Sequence, residues 1–176
     1  MNTDKKILKQ LNQRKSVRVF LSKEIEEEKL EALWAAAQWA PSSSNKQEWR
    51  YYAVIGEARK NLAEVLNPGN HWALKAPLIL GVTHDTSIEN KSESREYGMY
   101  DVALSVMNLV IEAEHQGLRT HQMAGFKEKE FRRVLKIPPE ESPVVMVAVG
   151  YKDEGEKETR PRTRKSIGEI IKVIKN

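Results

Sequence analysis

Two short segments, Leu78-Ile79-Leu80-Gly81-Val82-Thr83 and Val144-Val145-Met146-Val147-Ala148-Val149, are apolar on both of their alternating faces. Their length and their branched side chains, set between proline, glycine or polar turns, favour strand over helix. A strand with two apolar faces has to be covered on both sides, so helices lie above and below the sheet. The expected architecture is an α/β (α+β) fold, a three-layer α/β/α sandwich. A third strand is predicted at Trp49–Ile55.

Residues 4–13 can form a short polar helix with Ile7, Leu8 and Leu11 at helical spacing. Residues 26–39 read as a helix with the apolar face Leu30, Leu33, Trp34 and Ala37, ended by Pro41. A longer helix runs from about Ser94 to Gln116 and stops at Gly117. Its middle, Val102 to Ile111, is apolar nearly all the way round, so it is buried on all sides. One core covers one face of it, and the other face is expected to meet a second subunit in a homodimer. Residues 127–136 suggest a surface helix, and Ile167, Ile170, Ile171 and Ile174 make an amphipathic stripe.

With 176 residues the chain suits a single domain over 1–176, large enough to bury about 70% of its unfolded surface. It has no cysteine, which excludes a disulfide framework, thiolate metal sites, iron–sulfur clusters and a cysteine nucleophile. The stretch MNTDKKILKQLNQRK has no signal-peptide core and no apolar run approaches a membrane span. The expectation is a cytoplasmic protein with no membrane partner. Lys and Arg number 29 against 25 Asp and Glu, a net charge of +4, but the signs are interspersed. Such a balance is a weak pointer to nucleic acid.

Three segments could carry chemistry. Arg14-Lys15-Ser16-Val17-Arg18 places three cations and a hydroxyl within five residues, the donor set a phosphate needs. Taken alone, it reads more simply as a solvated helix end. Ala40-Pro41-Ser42-Ser43-Ser44-Asn45-Lys46-Gln47 is dense in small hydrogen-bonding groups that can approach the heteroatom edge of a planar ligand, though by itself an ordinary turn is the simpler account. The basic run Arg160-Pro161-Arg162-Thr163-Arg164-Lys165 suits nucleic acid, a cofactor phosphate or plain solvation. It lacks interleaved aromatic residues, and no recognition-helix or zinc-finger pattern accompanies it. His71, His84, His115 and His121 show no ligand spacing, so no metal is expected. No nucleophile elbow, P-loop or dinucleotide fingerprint is present. His84-Asp85 has no activated nucleophile beside it and reads as a strand end.

In this order the segments resemble the nitroreductase family of flavin mononucleotide (FMN) oxidoreductases, over nearly the whole chain. The basic opening matches at Arg14, Lys15, Ser16 and Arg18, and the serine loop at Ala40, Pro41, Ser42, Ser43, Asn45, Gln47 and Trp49. Ala76-Pro77 introduces a strand, Gly117-Leu118 ends the long helix, Ala124-Gly125-Phe126 supplies a turn, and Arg162 and Arg164 precede Ile167.

The resemblance implies a mostly antiparallel sheet and an intertwined homodimer with FMN at each of two interface sites. Arg14, Ser16, Arg18, Arg162 and Arg164 would hold the phosphate and ribityl chain, with Lys15 keeping charge but not the planar fork of arginine. Pro41, Ser42, Ser43 and Asn45 would approach the isoalloxazine ring from the partner subunit. Asn70 would place an amide near the ring, and Met123, Ala124 and Gly125 would line its other side. Glu48 stands where the family has proline and would put a carboxylate near the site mouth, and the charged 84–100 segment would shape the substrate pocket.

The implied activity is transfer of a hydride from NADH or NADPH through FMN to a nitroaromatic, quinone or similar acceptor by ping-pong kinetics, with no catalytic side chain required. The alternatives are an FMN-binding protein without turnover and a basic nucleic-acid-binding module.

Overall fold

The computed structural model describes residues 7–153, 155 and 162–175. It opens with helices α1 (Lys9–Gln13) and α2 (Glu27–Gln38), then strand β1 (Trp49–Ile55) and two 3-10 segments, Gly56–Ala63 and Pro68–Lys75. Strand β2 (Leu78–Asp85) follows, then the two-stranded ribbon β3 (Lys91–Ser92) and β4 (Arg95–Glu96), and helix α3 (Gly98–His115). Strand β5 (Arg119–Met123), helix α4 (Glu128–Leu135), strand β6 (Glu141–Gly150) and the single turn α5 (Ile167–Ile170) complete the chain.

The main sheet has the order β1-β2-β6-β5, and every neighbouring pair is antiparallel. The two segments apolar on both faces are thus the two central strands. Leu80 lies opposite Val147 and Val82 opposite Val145, and the register shifts between Val82 and Thr83, where Pro143, lacking an N–H, takes its place opposite Thr83.

The pleat sends alternate side chains to two cores. Leu78, Leu80, Val82, Val147 and Val149 pack with Leu33 of α2 and Val102, Val106 and Leu109 of α3. Ile79, Met146 and Ala148 pack on the other side with Leu62, Val65, Leu66 and Phe131. Leu33, Leu80, Leu109 and Phe131 are all fully buried, each contributing roughly 1.5–3 kcal/mol. The three-layer sandwich expected from the sequence is the observed one.

Some boundaries moved. Helix α3 starts at Gly98 instead of Ser94, because Lys91 pairs with Glu96 and Ser92 with Arg95 in a ribbon that turns at Glu93, whose φ is 55°. The isoleucine stripe does not form a helical face: α5 opens with a Ser166–Glu169 capping box, and after one turn Ile171 is already extended at φ −117°, ψ 124°. Ile167, Ile170, Ile171 and Ile174 are all exposed. Strand β5, polar at most positions, had no apolar signature to announce it.

Helix α3 buries Val102, Val106, Leu109, Val110 and Ala113 on the sheet. At its start Met99 and Tyr100 are exposed, and away from the sheet Leu104, Met107 and Ile111 are half-buried, with Leu104 and Met107 still touching the core. Trp39, at the end of α2, is 84% exposed. Among the described residues no helix is long and apolar enough to cross a membrane.

Candidate functional site

The chain leaves α1 at Arg14 and runs beside β5. Ser16 bridges Thr120 in parallel, the Val17 N–H donates to the Thr120 carbonyl at 3.3 Å, and His121 Nδ1 lies 2.9 Å from the Val17 carbonyl. Val17 and Phe20 are buried and anchor the segment. Between them Arg18 lies with its guanidinium carbon 5.8 Å from the centre of the Trp72 ring, and its Nε is buried without a hydrogen-bond partner. Trp72 is itself held by Phe20 at 6.2 Å and His121 at 4.6 Å between ring centres.

The carboxyl-terminal arginines arrive at the end of α1, beside Arg14. Arg162 Nη1 donates to the Asn12 carbonyl at 2.5 Å, tying positions 150 residues apart. Burial, then the nearby Arg162 and Arg164, push the Arg14 guanidinium below its ordinary value, and Glu114 pulls in the other direction. Glu114 is already paired with Arg119 at 3.3 Å. Cations crowded around Arg14 repel one another, and such a cluster is eased by an anion. Lys15 and Ser16 are exposed along its rim. Arg160 and Pro161, the start of the basic run, lie outside the described residues.

A second group adjoins the first through Trp72 and His121. Asn70 sits two residues before Trp72, and Met123 two residues after His121. Asn70 Nδ2 donates to the Gly125 carbonyl at 2.8 Å, and the Asn67 N–H shares that acceptor at 3.3 Å. A Cβ on Gly125 would stand 2.9 Å from Asn70 Nδ2, so a side chain there would have to shift the Asn70 amide. Neither Ala124 nor Gly125 has positive φ, so alanine at 124 is unstrained. Met123 is buried and Ala124 exposed.

The serine loop forms the third group. Ser44, Asn45 and Gln47 take φ of 53°, 54° and 51°, the left-handed region that L-residues enter at a cost of about 1 kcal/mol or more each. Side chains hold them there. Asp101 of α3 accepts the Ser43 N–H at 2.8 Å, Asn90 Nδ2 donates to Ser43 Oγ at 2.7 Å, and Ser42 Oγ accepts the Gln47 N–H at 2.9 Å. The loop therefore hangs from the amino-terminal end of α3, whereas the arginines gather at its carboxyl end.

Glu48 departs from expectation. It does not stand at a site mouth; its side chain is fully buried beneath the loop, because its backbone carbonyl pairs with the Asp85 N–H at 2.9 Å as the chain enters β1. His84 is buried as well, its Nδ1 3.3 Å from Glu89 Oε2, with no nucleophile in that contact. Trp72, Asn90, Asp101 and His121 support these groups and were not singled out from sequence. Asp101 alone carried a signal, as an acid within an apolar helix. Among the described residues no cluster of His, Asp and Glu could hold a metal ion.

The sequence model of the nitroreductase family matches residues 11–71 and 66–151. The chain belongs to the nitroreductase family. It is 25% identical to a Bacillus subtilis protein named FMN reductase (NAD(P)H), over 82% of this chain and 65% of that protein. It is 26% identical to a crystal structure described as an oxidoreductase containing FMN, with a TM-score of 0.78 over 87% of this chain and 80% of that one. A nitroreductase family protein from Clostridium difficile shares the fold at a TM-score of 0.80 and 20% identity, over 93% and 95% of the two chains.

Proposed function

We propose that two copies of this chain assemble into an intertwined homodimer that reduces nitroaromatic, quinone or similar electrophilic acceptors by ping-pong kinetics. The enzyme is an NAD(P)H-dependent FMN oxidoreductase of the nitroreductase type. The residues present fit FMN: Arg162 and Arg164 crowd Arg14, and the buried Arg18 Nε lacks an acceptor. When bound, FMN would supply the two-electron chemistry that links reduced nicotinamide to the acceptor.

The protein's part is binding and orientation. Arg14, Lys15, Ser16, Arg18, Arg162 and Arg164 hold the phosphate and ribityl chain. Met123, Ala124, Gly125 and Asn70 line the ring from the same subunit. The partner subunit's Pro41, Ser42, Ser43 and Asn45 close on it from the other side, their backbone fixed in advance by Asp101 and Asn90 of that subunit. Oriented N–H groups at a ring edge stabilise negative charge as it develops there. Donor and acceptor use one pocket in turn, which gives the ping-pong order. A cysteine-free chain working with reduced nicotinamide suits the cytoplasm.

One observation carries the two-subunit reading. Thirteen residues of α3 separate Asp101, which holds the loop, from Glu114, which faces Arg14, about 20 Å of helix at roughly 1.5 Å per residue. A second copy resting on the open apolar side of α3 and on the exposed isoleucines brings its loop to the first copy's arginines. The flavin-loaded protein is expected to sediment as a dimer with one FMN per chain. Under argon it is expected to oxidise NADH or NADPH continuously only when a nitroaromatic or quinone is supplied. A monomer with full flavin occupancy would contradict the shared site, and a loaded dimer that never turns over would contradict the reductase.

A further inference from the structure

Glu48 ends the serine loop and opens β1 with a carboxyl group wholly removed from water. Neither of its oxygens has a hydrogen-bond partner of good geometry, although its own backbone N–H lies close by. The groups facing it are acids: Asp101 from α3, in hydrogen-bonding reach, and Glu89 from the segment after β2. Glu89 is otherwise engaged, with Lys91 Nζ 3.2 Å from one oxygen, and the Gly98 N–H at 3.2 Å and His84 Nδ1 at 3.3 Å from the other. Asp101 has the Ser43 N–H. Glu48 has Asp101 and, more weakly placed, its own backbone N–H.

Two carboxyl groups in contact have no donor between them unless one carries a proton. With the proton, the pair is joined by a short, strong O–H···O bond; without it, two charges face each other where no water screens them. Asp101 already accepts a backbone N–H, which leaves Glu48 as the carrier. Burial raises the Glu48 carboxyl above its ordinary value of 4.5; its own backbone N–H pulls the other way, and Asp101 and Glu89 add to the rise.

We infer that Glu48 is a positioning residue for the flavin: a proton bridging it to Asp101 keeps Asp101 aimed at the Ser43 N–H and so holds the strained serine loop in its ring-facing shape. This rests on the FMN reading above. When the bridging proton is lost at higher pH, Glu48 and Asp101 repel, Asp101 loosens its hold on Ser43, and the left-handed turn at Ser44 and Asn45 relaxes. The loop, and through it flavin affinity, is thereby coupled to pH from beneath, by a group that never touches the ligand.

The test compares wild type with Glu48→Gln, which keeps the shape and a donor but cannot ionise. Two readouts are followed from mildly acidic to mildly alkaline pH: FMN affinity by fluorescence quenching, and hydrogen exchange of the Ser43 amide in flavin-free protein, corrected for its intrinsic rate. Wild type is expected to lose affinity, by up to tenfold per pH unit once the proton is lost. Its Ser43 protection is expected to fall over the same interval, while Glu48→Gln stays flat in both. Titration of FMN itself is common to the two proteins and cancels. If Glu48→Gln does not fold, Asp101→Asn serves, since its amide can accept from Ser43 and donate to Glu48, so that ionised Glu48 no longer repels it; its dependence on pH is expected to be weaker than that of wild type. Identical pH profiles in wild type and variant would overturn the inference even with FMN firmly bound. No FMN binding at any pH, with Ser43 protection still pH-dependent only in wild type, would sink the flavin reading while the Glu48 bridge stood.

Discussion

Replacing Arg18 by alanine is expected to weaken FMN binding about 10- to 100-fold, because a charge-assisted hydrogen bond contributes roughly 1.5–3 kcal/mol. Arg18 is the member of the basic group whose Nε is buried and unpartnered, so a phosphate oxygen reaching it gains a bond that water does not already supply. Its loss should leave the flavin-free protein folded, since the segment is anchored by Val17 and Phe20 and by the pairing of Ser16 with Thr120. Some stability goes with the contact to Trp72, which Arg18→Lys would partly keep. Arg164→Ala and Ser16→Ala, at exposed positions, are expected to weaken FMN binding in the same direction by less. Equilibrium dialysis against FMN, paired with thermal melting of the apoprotein, measures both effects. An Arg18→Ala protein that holds flavin as tightly as wild type would remove Arg18 from the site.

Gly98→Ala is expected to be the most destabilising small substitution near the loop. A Cβ on Gly98 would stand 2.0 Å from His84 Nδ1 and 2.6 Å from Glu89 Oε2, and both side chains are buried. The methyl group has to push His84 and Glu89 aside, and Glu89 then loses the Gly98 N–H as well. Overpacking with a broken buried hydrogen bond costs roughly 3 kcal/mol. For a chain of this length that lowers the melting temperature by about 6–12 °C. The loop is tied to the same corner through Asn90, so flavin affinity should fall with stability. Thermal melting decides it: a midpoint within about 1 °C of wild type would mean the corner yields easily.

The strands at Trp49–Ile55, Leu78–Asp85 and Glu141–Gly150 were legible because apolar side chains at strand spacing leave few alternatives, and their two-faced burial carried the layer order with it. Helix 26–39 was legible for the same reason, and the observed Glu27–Gln38 nearly coincides with it. Strand β5 was not legible. Arg119-Thr120-His121-Gln122-Met123 is polar, and its form comes from pairing with β6 and with Ser16, contacts distant in sequence. The carboxyl-terminal isoleucines misled for the opposite reason: their spacing suits a helix, but among the described residues nothing covers them, and after one turn the backbone extends.

Of the site, the meeting of the two basic segments was anticipated only through the resemblance, since no local pattern says that Arg14 and Arg162 share a neighbourhood. The fold brings them there along β5 and the end of α3. Glu48 shows the limit in the other direction. A glutamate after a polar loop reads as a solvated rim residue, and only the tertiary path of β1 turns it inward. The supporting residues Trp72, Asn90 and Asp101 act through side chains that sequence alone does not aim.

The measurement that goes to the centre of this account is the visible absorption spectrum of the purified protein reconstituted with FMN, before and after reduced nicotinamide is added under anaerobic conditions. Bound-flavin bands that bleach on NADH or NADPH, and return when a quinone or nitroaromatic is added, are the predicted result. A protein that takes up no FMN, or whose bound flavin stays oxidised with either donor, would contradict it.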